Sequence, residues 1–198
     1  MNRHWLLIPL LSIASQTGAL SQAASTLSPY ASVHFGVIFP AWDNFGRIYE
    51  SGSAFAFGAD LGWNFATHAN AFIQGLYYSK SVVPTYTMKR RHTEMKEFIL
   101  LLGLNRPFAL SELYTLDVSG AIATADLWED GHTRAYGPLD NIGFSLGIGL
   151  ERNFPGSNFA VMAEGEYTFL HDAYNGNLGG PTATLGLRYY FADREVKK

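Results

Sequence analysis

The stretch SAFAFGADLGWNF, residues 53–65, sorts its side chains by parity. Phe55, Phe57, Ala59, Leu61, Trp63 and Phe65 fall on one parity, and Ala54, Ala56, Gly58, Asp60, Gly62 and Asn64 on the other. Alternate residues of a strand point to opposite faces. One face is therefore bulky and apolar, and the other is small or polar. A helix would scatter the same aromatics around its axis.

The same two-residue period governs most of the chain. It recurs in YASVHFGVIF (30–39), NAFIQGLYYS (70–79), KEFILLLGLN (96–105), LYTLDVSGAIAT (113–124), NIGFSLGIGLER (141–152), FAVMAEGEYTFL (159–170) and TATLGLRYYF (182–191). These stretches predict eight strands of about ten residues, the length that crosses a bilayer when tilted. The connections alternate in length. ATHA, RPFALSE and NFPGSN are short; PAWDNFGRIYESG, KSVVPTYTMKRRHTEM, ADLWEDGHTRAYGPLD and HDAYNGNLGG are long. Short turns at one end and long loops at the other are the asymmetry of a membrane barrel.

The second face decides between a soluble barrel and a membrane barrel. A soluble barrel would turn its apolar face inward and show water many Lys and Glu. Here the second face is Ala, Gly, Ser and Thr with scattered charge, at Asp60, Glu97, Asp117, Glu151, Glu164, Glu166 and Arg188. Small residues and a few paired charges suit the narrow interior of an eight-stranded barrel. The Phe, Leu and Trp face then meets lipid. Aromatics near strand ends, including Trp63, Tyr77, Tyr114, Phe154, Phe159, Tyr167, Phe169 and Tyr189, fit interfacial girdles. The expected fold is all-β: an eight-stranded antiparallel up-and-down transmembrane β-barrel.

Composition agrees. Of 198 residues, 15% are aromatic and only 16% charged, against about 25% charged in an average soluble domain. A net charge of −3 gives no reason to expect a nucleic-acid partner. The absence of cysteine excludes disulfides, thiolate metal sites and a Cys nucleophile. At the N-terminus, Arg3 and His4 precede the apolar run WLLIPLLSIA, and small residues follow. These are the parts of a signal peptide over residues 1–23, cleaved after Ala23 or Ser21. The barrel is expected over 24–191, with a short polar periplasmic tail at 192–198.

The final strand carries a defined motif. TLGLRYYF resembles the terminal signal of outer-membrane barrels, polar-x-Gly-x-x-aromatic-x-aromatic, with Thr184, Gly186, Tyr189 and Phe191 in the key places. With the eight strands and the leader, the chain resembles the small OmpA/OmpX/opacity-type barrels of Gram-negative bacteria. The resemblance implies a place in the outer membrane among lipid and lipopolysaccharide. It also implies insertion by the outer-membrane assembly machinery through that signal. The family pattern ends at the terminal Phe, whereas this chain runs on for ADREVKK.

Several residue groups are candidates for function. Arg188 shares the inward parity with Glu151, Glu164, Glu166, Asp117 and Asp60, which predicts an interior charge network, since a lone buried charge is costly. Its expected role is to plug and hold the barrel. Lys89, Arg90, Arg91 and His92 form a basic cluster in the second long loop, suited to lipopolysaccharide phosphates or another polyanion. Trp42, Phe45, Tyr49, Tyr86, Trp128 and Tyr136 are expected as exposed loop aromatics, either a contact surface or packed on one another.

For catalysis, His34, His92, His132 and His171 with Ser79, Ser81 and Asp172 form no compact motif, so no catalytic residue, metal site or cofactor is assigned. The expectation is a monomeric structural or surface-interaction protein acting through four long loops on a host or surface ligand. A narrow passive channel and a lipid A-modifying enzyme are the alternatives.

Overall fold

The computed structural model describes residues 28–41, 45, 49, 52–66, 68–82, 93–129, 141–172 and 176–191. The leader, the tail at 192–198, the cluster Lys89–His92, and Trp42, Tyr86, His132 and Tyr136 lie outside the described residues.

Among the described residues nine strands run in chain order: β1 (Tyr30–Ile38), β2 (Ala54–Ala66), β3 (Ala69–Val82), β4 (Thr93–Ala109), β5 (Tyr114–Glu129), β6 (Ile142–Asn153), β7 (Phe159–Asp172), β8 (Gly176–Asn177) and β9 (Gly180–Tyr190). β1 to β7 each pair antiparallel with the next, β7 also pairs with β9, and β9 returns to β1. Eight strands thus close on themselves with no free side, and β8 is a two-residue ribbon on the end of β7. Closure satisfies every strand's backbone partners, the condition for crossing hydrocarbon.

The register gives the stagger. Partners traced once round the barrel from Tyr30 are Gly62, Phe72, Gly103, Ala121, Ser145, Thr168 and Gly180. Gly180 faces position 40 of the first strand, a shear of ten residues. Shear of this size in eight strands goes with a tilt of roughly 35–45°. The start of β1, the end of β9 and the turns after β2, β4 and β6 share one end of the barrel. The longer connections share the other.

Parity follows the sequence pattern. Phe55, Phe57, Leu61, Leu102, Ile122, Leu146 and Leu185 are each more than half exposed on the outside, while Asp60, Gln74, Glu97, Glu151 and Arg188 are buried within. A belt of exposed Phe, Leu, Ile and Val, to which each of the eight barrel strands contributes, around a polar-centred interior has the reverse polarity of a water-soluble barrel.

Three strands outrun their expected limits by three residues or more. β3 continues to Val82, β4 spans Thr93–Ala109, and β5 continues to Glu129. The extra residues pair with one another, Val82 with Thr93 and Met95 with Glu129. Trp128 therefore belongs to a strand and not to a loop, and it is exposed. Backbone pairing carried these segments past the point where apolar alternation fades.

For two expected loop aromatics the exposure is corrected, and the packed alternative is the one the structure has. Phe45 and Tyr49 are buried, at 1% and 2% exposure, with ring centroids 5.0 Å apart. Along with Leu178 they join the interior cluster of Ile38, Ala54, Tyr78, Met95 and Leu127. The small Ala54, Ala56, Ala123 and Ala125 on the inner wall leave room for them. Burying two rings is worth several kcal/mol, about 1.5–3 for each large apolar side chain, which explains why they turn in.

Candidate functional site: the filled lumen

The lumen near the chain ends is organised by Arg188 on β9. Its Nη1 donates to Asp117 Oδ2 at 2.7 Å and to Glu151 Oε2 at 2.9 Å. Its Nη2 stands 3.9 Å from Asp60 Oδ2. Three strands, β2, β5 and β6, are thus tied to β9 through one guanidinium. The same group lies 4.1 Å from the centre of the Tyr30 ring, a cation–π contact that costs the carboxylates nothing. Tyr190 donates its hydroxyl to Glu151, and Asn105 Nδ2 donates to the Tyr30 hydroxyl at 3.1 Å. Charge-assisted bonds of this kind are the strong ones. They offset the loss of water around a buried ion.

Gly62 makes the arrangement fit. A Cβ there would stand 2.2 Å from a Tyr30 ring carbon. The glycine lies opposite Tyr30 in the register, so the ring lies flat over it.

The other two expected network members sit apart from Arg188. Glu164 lines the small cavity beside the cluster, with Asp60, Gln74, Ser119 and Arg188. Glu166 accepts from Thr168 Oγ1 at 2.8 Å and from Gln74 Nε2 at 3.5 Å. Thr168 is also bonded to Ser145. His34 faces Thr184, with 3.5 Å between Nδ1 and Oγ1.

Above this polar middle the lumen turns apolar. Leu76, Ile99, Leu101, Ala123 and Leu127 are buried there, together with Glu97, which accepts from the Tyr78 hydroxyl. The cavity beside Arg188 has a volume of ≈ 10 Å³, room for about one water. Among the described residues, the inward side chains on either side of that cavity, from Tyr30 and Tyr190 to Tyr78, Phe45 and Leu178, are buried.

The residue types and parity pointed to Arg188 and its acids. Three contributors were not singled out beforehand: Tyr30 as the ring beneath the guanidinium, the Asn105–Tyr30 bond, and the Gln74–Glu166–Thr168–Ser145 chain. Their inward parity was readable. Which of them meet across the lumen depends on the stagger, which a pattern of alternation does not contain.

The described candidates for hydrolytic chemistry do not converge. Ser79 and Ser81 point outward on β3, and His171 is exposed on β7, four strands away around the barrel. Among the described residues no group of three His, Cys, Asp or Glu is arranged to hold a metal ion.

No protein-family model matches the sequence, and no curated protein matches it. Solved structures do. The Neisserial surface protein A, NspA, is similar over 82% of this chain and 97% of its own, with a TM-score of 0.65 and 12% identity. Ail, the attachment invasion locus protein of Yersinia pestis, is similar over 83% of this chain and 99% of its own, with a TM-score of 0.53 and 15% identity. A second structure of Ail, in complex with the heparin analogue sucrose octasulfate, has a TM-score of 0.51 and 14% identity over 83% of this chain and 100% of its own. The chain has the fold of the small eight-stranded outer-membrane barrels.

Proposed function

We propose that this chain is an outer-membrane protein that works at the cell surface, through the segments joining its strands at the end away from the termini. The observation that carries the reading is the packed lumen: the described inward side chains are buried, and the cavity beside Arg188 has room for about one water, which leaves little use as a passage. What remains is a rigid membrane anchor with long segments at one end. On this reading the leader directs export, and the assembly machinery reads Thr184, Gly186, Tyr189 and Phe191.

The ligand class favoured is a polyanion, either lipopolysaccharide phosphate or a sulfated host glycan. Lys89, Arg90, Arg91 and His92 fall in the sequence between β3 and β4. The similar fold of Ail in complex with sucrose octasulfate makes a sulfated sugar the first probe to try. Adhesion and envelope integrity are the two physiological outcomes that such contacts serve.

The test pairs two measurements on the purified full chain. In planar bilayers it should give no unitary conductance. On immobilised heparin and on lipopolysaccharide it should be retained, and a variant with Lys89, Arg90, Arg91 and His92 all changed to Gln should elute at distinctly lower salt. Steady conductance, or equal retention of the variant, would overturn the reading. Lipid A recovered from expressing cells should keep its acyl chains; a lost or added chain would establish the enzyme alternative instead.

A further inference from the structure

Four strands descend toward the end that carries the termini, and all four finish with the same outward pattern. β2 ends on Trp63-x-Phe65, β4 on Arg106-x-Phe108, β6 on Arg152-x-Phe154, and β9 runs out through Tyr189-x-Phe191. With a shear of ten over eight strands, a hydrogen-bonded row climbs by about 1.25 residues per strand. Correcting the register for that climb puts Trp63, Arg106, Arg152 and Tyr189 within about 4 Å of one depth. They form one interfacial ring, and its two halves differ in chemistry.

The half around β9 is aromatic. Tyr189 touches Phe159 at 5.0 Å and Phe191 at 5.4 Å between ring centres. The half around β5 is basic. Arg106 stands over the Phe108 ring at 4.9 Å, and Arg152 over the Phe154 ring at 5.9 Å. Each guanidinium is thus drawn toward the rim by its own aromatic neighbour, with its donors directed past the apolar belt. Tyr114, opposite Arg152 in the register, adds a third ring between them, this one with a polar hydroxyl. Among the described residues, Arg106 and Arg152 are the only Lys or Arg side chains on the outer wall at this end. Glu112 in the intervening turn is the nearby carboxylate, and it is exposed.

We infer that this basic half of the ring binds the phosphate groups of anionic phospholipids in the membrane leaflet at the termini end. A guanidinium matches a phosphate in geometry and charge, and it sits at headgroup depth beside apolar surface that accepts the acyl chains. The aromatic half takes zwitterionic lipid without preference. The barrel therefore carries an asymmetric lipid collar, denser in anionic lipid beside β4–β6.

The full chain, inserted into nanodiscs of equimolar phosphatidylcholine and phosphatidylglycerol, tests this by native mass spectrometry of the retained lipid. Phosphatidylglycerol should be enriched, by roughly fivefold for each arginine engaged. Arg106→Gln with Arg152→Gln should abolish the enrichment, Arg106→Lys with Arg152→Lys should keep part of it, and Lys96→Gln, at the other end, should leave it unchanged. Equal retention of the two lipids by the natural chain, or undiminished enrichment in the double Gln variant, overturns the inference. Heparin retention reports on the opposite end and is scored separately, so failure of the surface reading is distinguishable. A chain that does not enter the bilayer contradicts both.

Discussion

Replacing Arg188 with methionine is expected to lower the stability of the folded barrel by about 3–5 kcal/mol, the range for breaking a buried ion pair by removing one partner. The methionine fills comparable space, so the cost comes from charge. Asp117 and Glu151 would lose bonds of 2.7 and 2.9 Å, and Asp60 its nearest positive group. Glu151 is 1% exposed, so water does not replace what is lost. The check is urea unfolding in lipid vesicles, followed by the shift of the folded band on unheated gels. Adding Asp117→Asn and Glu151→Gln to the same chain should recover part of the loss, because it removes the stranded charges. An unchanged midpoint in Arg188→Met would mean the guanidinium does not hold the strands together. Conductance should stay absent in the variant, since the Tyr30 and Tyr190 rings and the apolar upper lumen remain.

The second large effect lies on the outside. Leu146 is 62% exposed near the middle of β6. Leu146→Arg is expected to cost about 2–4 kcal/mol, the penalty for a basic side chain at the bilayer midplane. In a water-soluble protein an exposed leucine changed to arginine falls within about ±0.5 kcal/mol. The two environments thus predict outcomes that do not overlap. The same change at Phe154, at the rim, should cost no more than about 1 kcal/mol. The pair of midpoints checks the claim, and equal midpoints for both variants would contradict it.

Much of the fold was legible because parity survives without knowledge of partners. Phe55 to Phe65 announce a lipid face whatever they pair with. The two-sided contrast with Asp60 and Gly62 announces the interior. Strand ends were less legible. Val82, Thr93 and Glu129 continue a backbone ladder where the apolar pattern has already lapsed, so composition read them as loop. The inward turn of Phe45 and Tyr49 was hidden for another reason. A loop aromatic turns inward only if the opposite wall leaves space, and that space comes from alanines on β2 and β5 that are distant in sequence.

In the lumen, the acids and Arg188 were visible as types on the right parity. Their division into a bonded trio around Arg188, a cavity-lining Glu164 and a Glu166 held by Thr168 follows from the stagger. A shear different by two residues would bring other side chains together. The repeated Arg-x-Phe and aromatic-x-Phe endings were equally present in the sequence. They acquire meaning only when the register puts them at one depth.

The central claim, that the exposed apolar belt faces lipid around a closed and filled barrel, is open to one direct measurement. The chain has no cysteine, so single cysteines at Phe144, Leu146, Ile148, Arg152 and Phe154 can each carry a spin label in bilayers. Relaxation by oxygen, which partitions into hydrocarbon, should peak at 146 and 148. Relaxation by a water-soluble nickel chelate should be negligible there and rise at 152 and 154. Nickel access at 146 equal to that at 154 would show the belt to be in water, and would contradict the account.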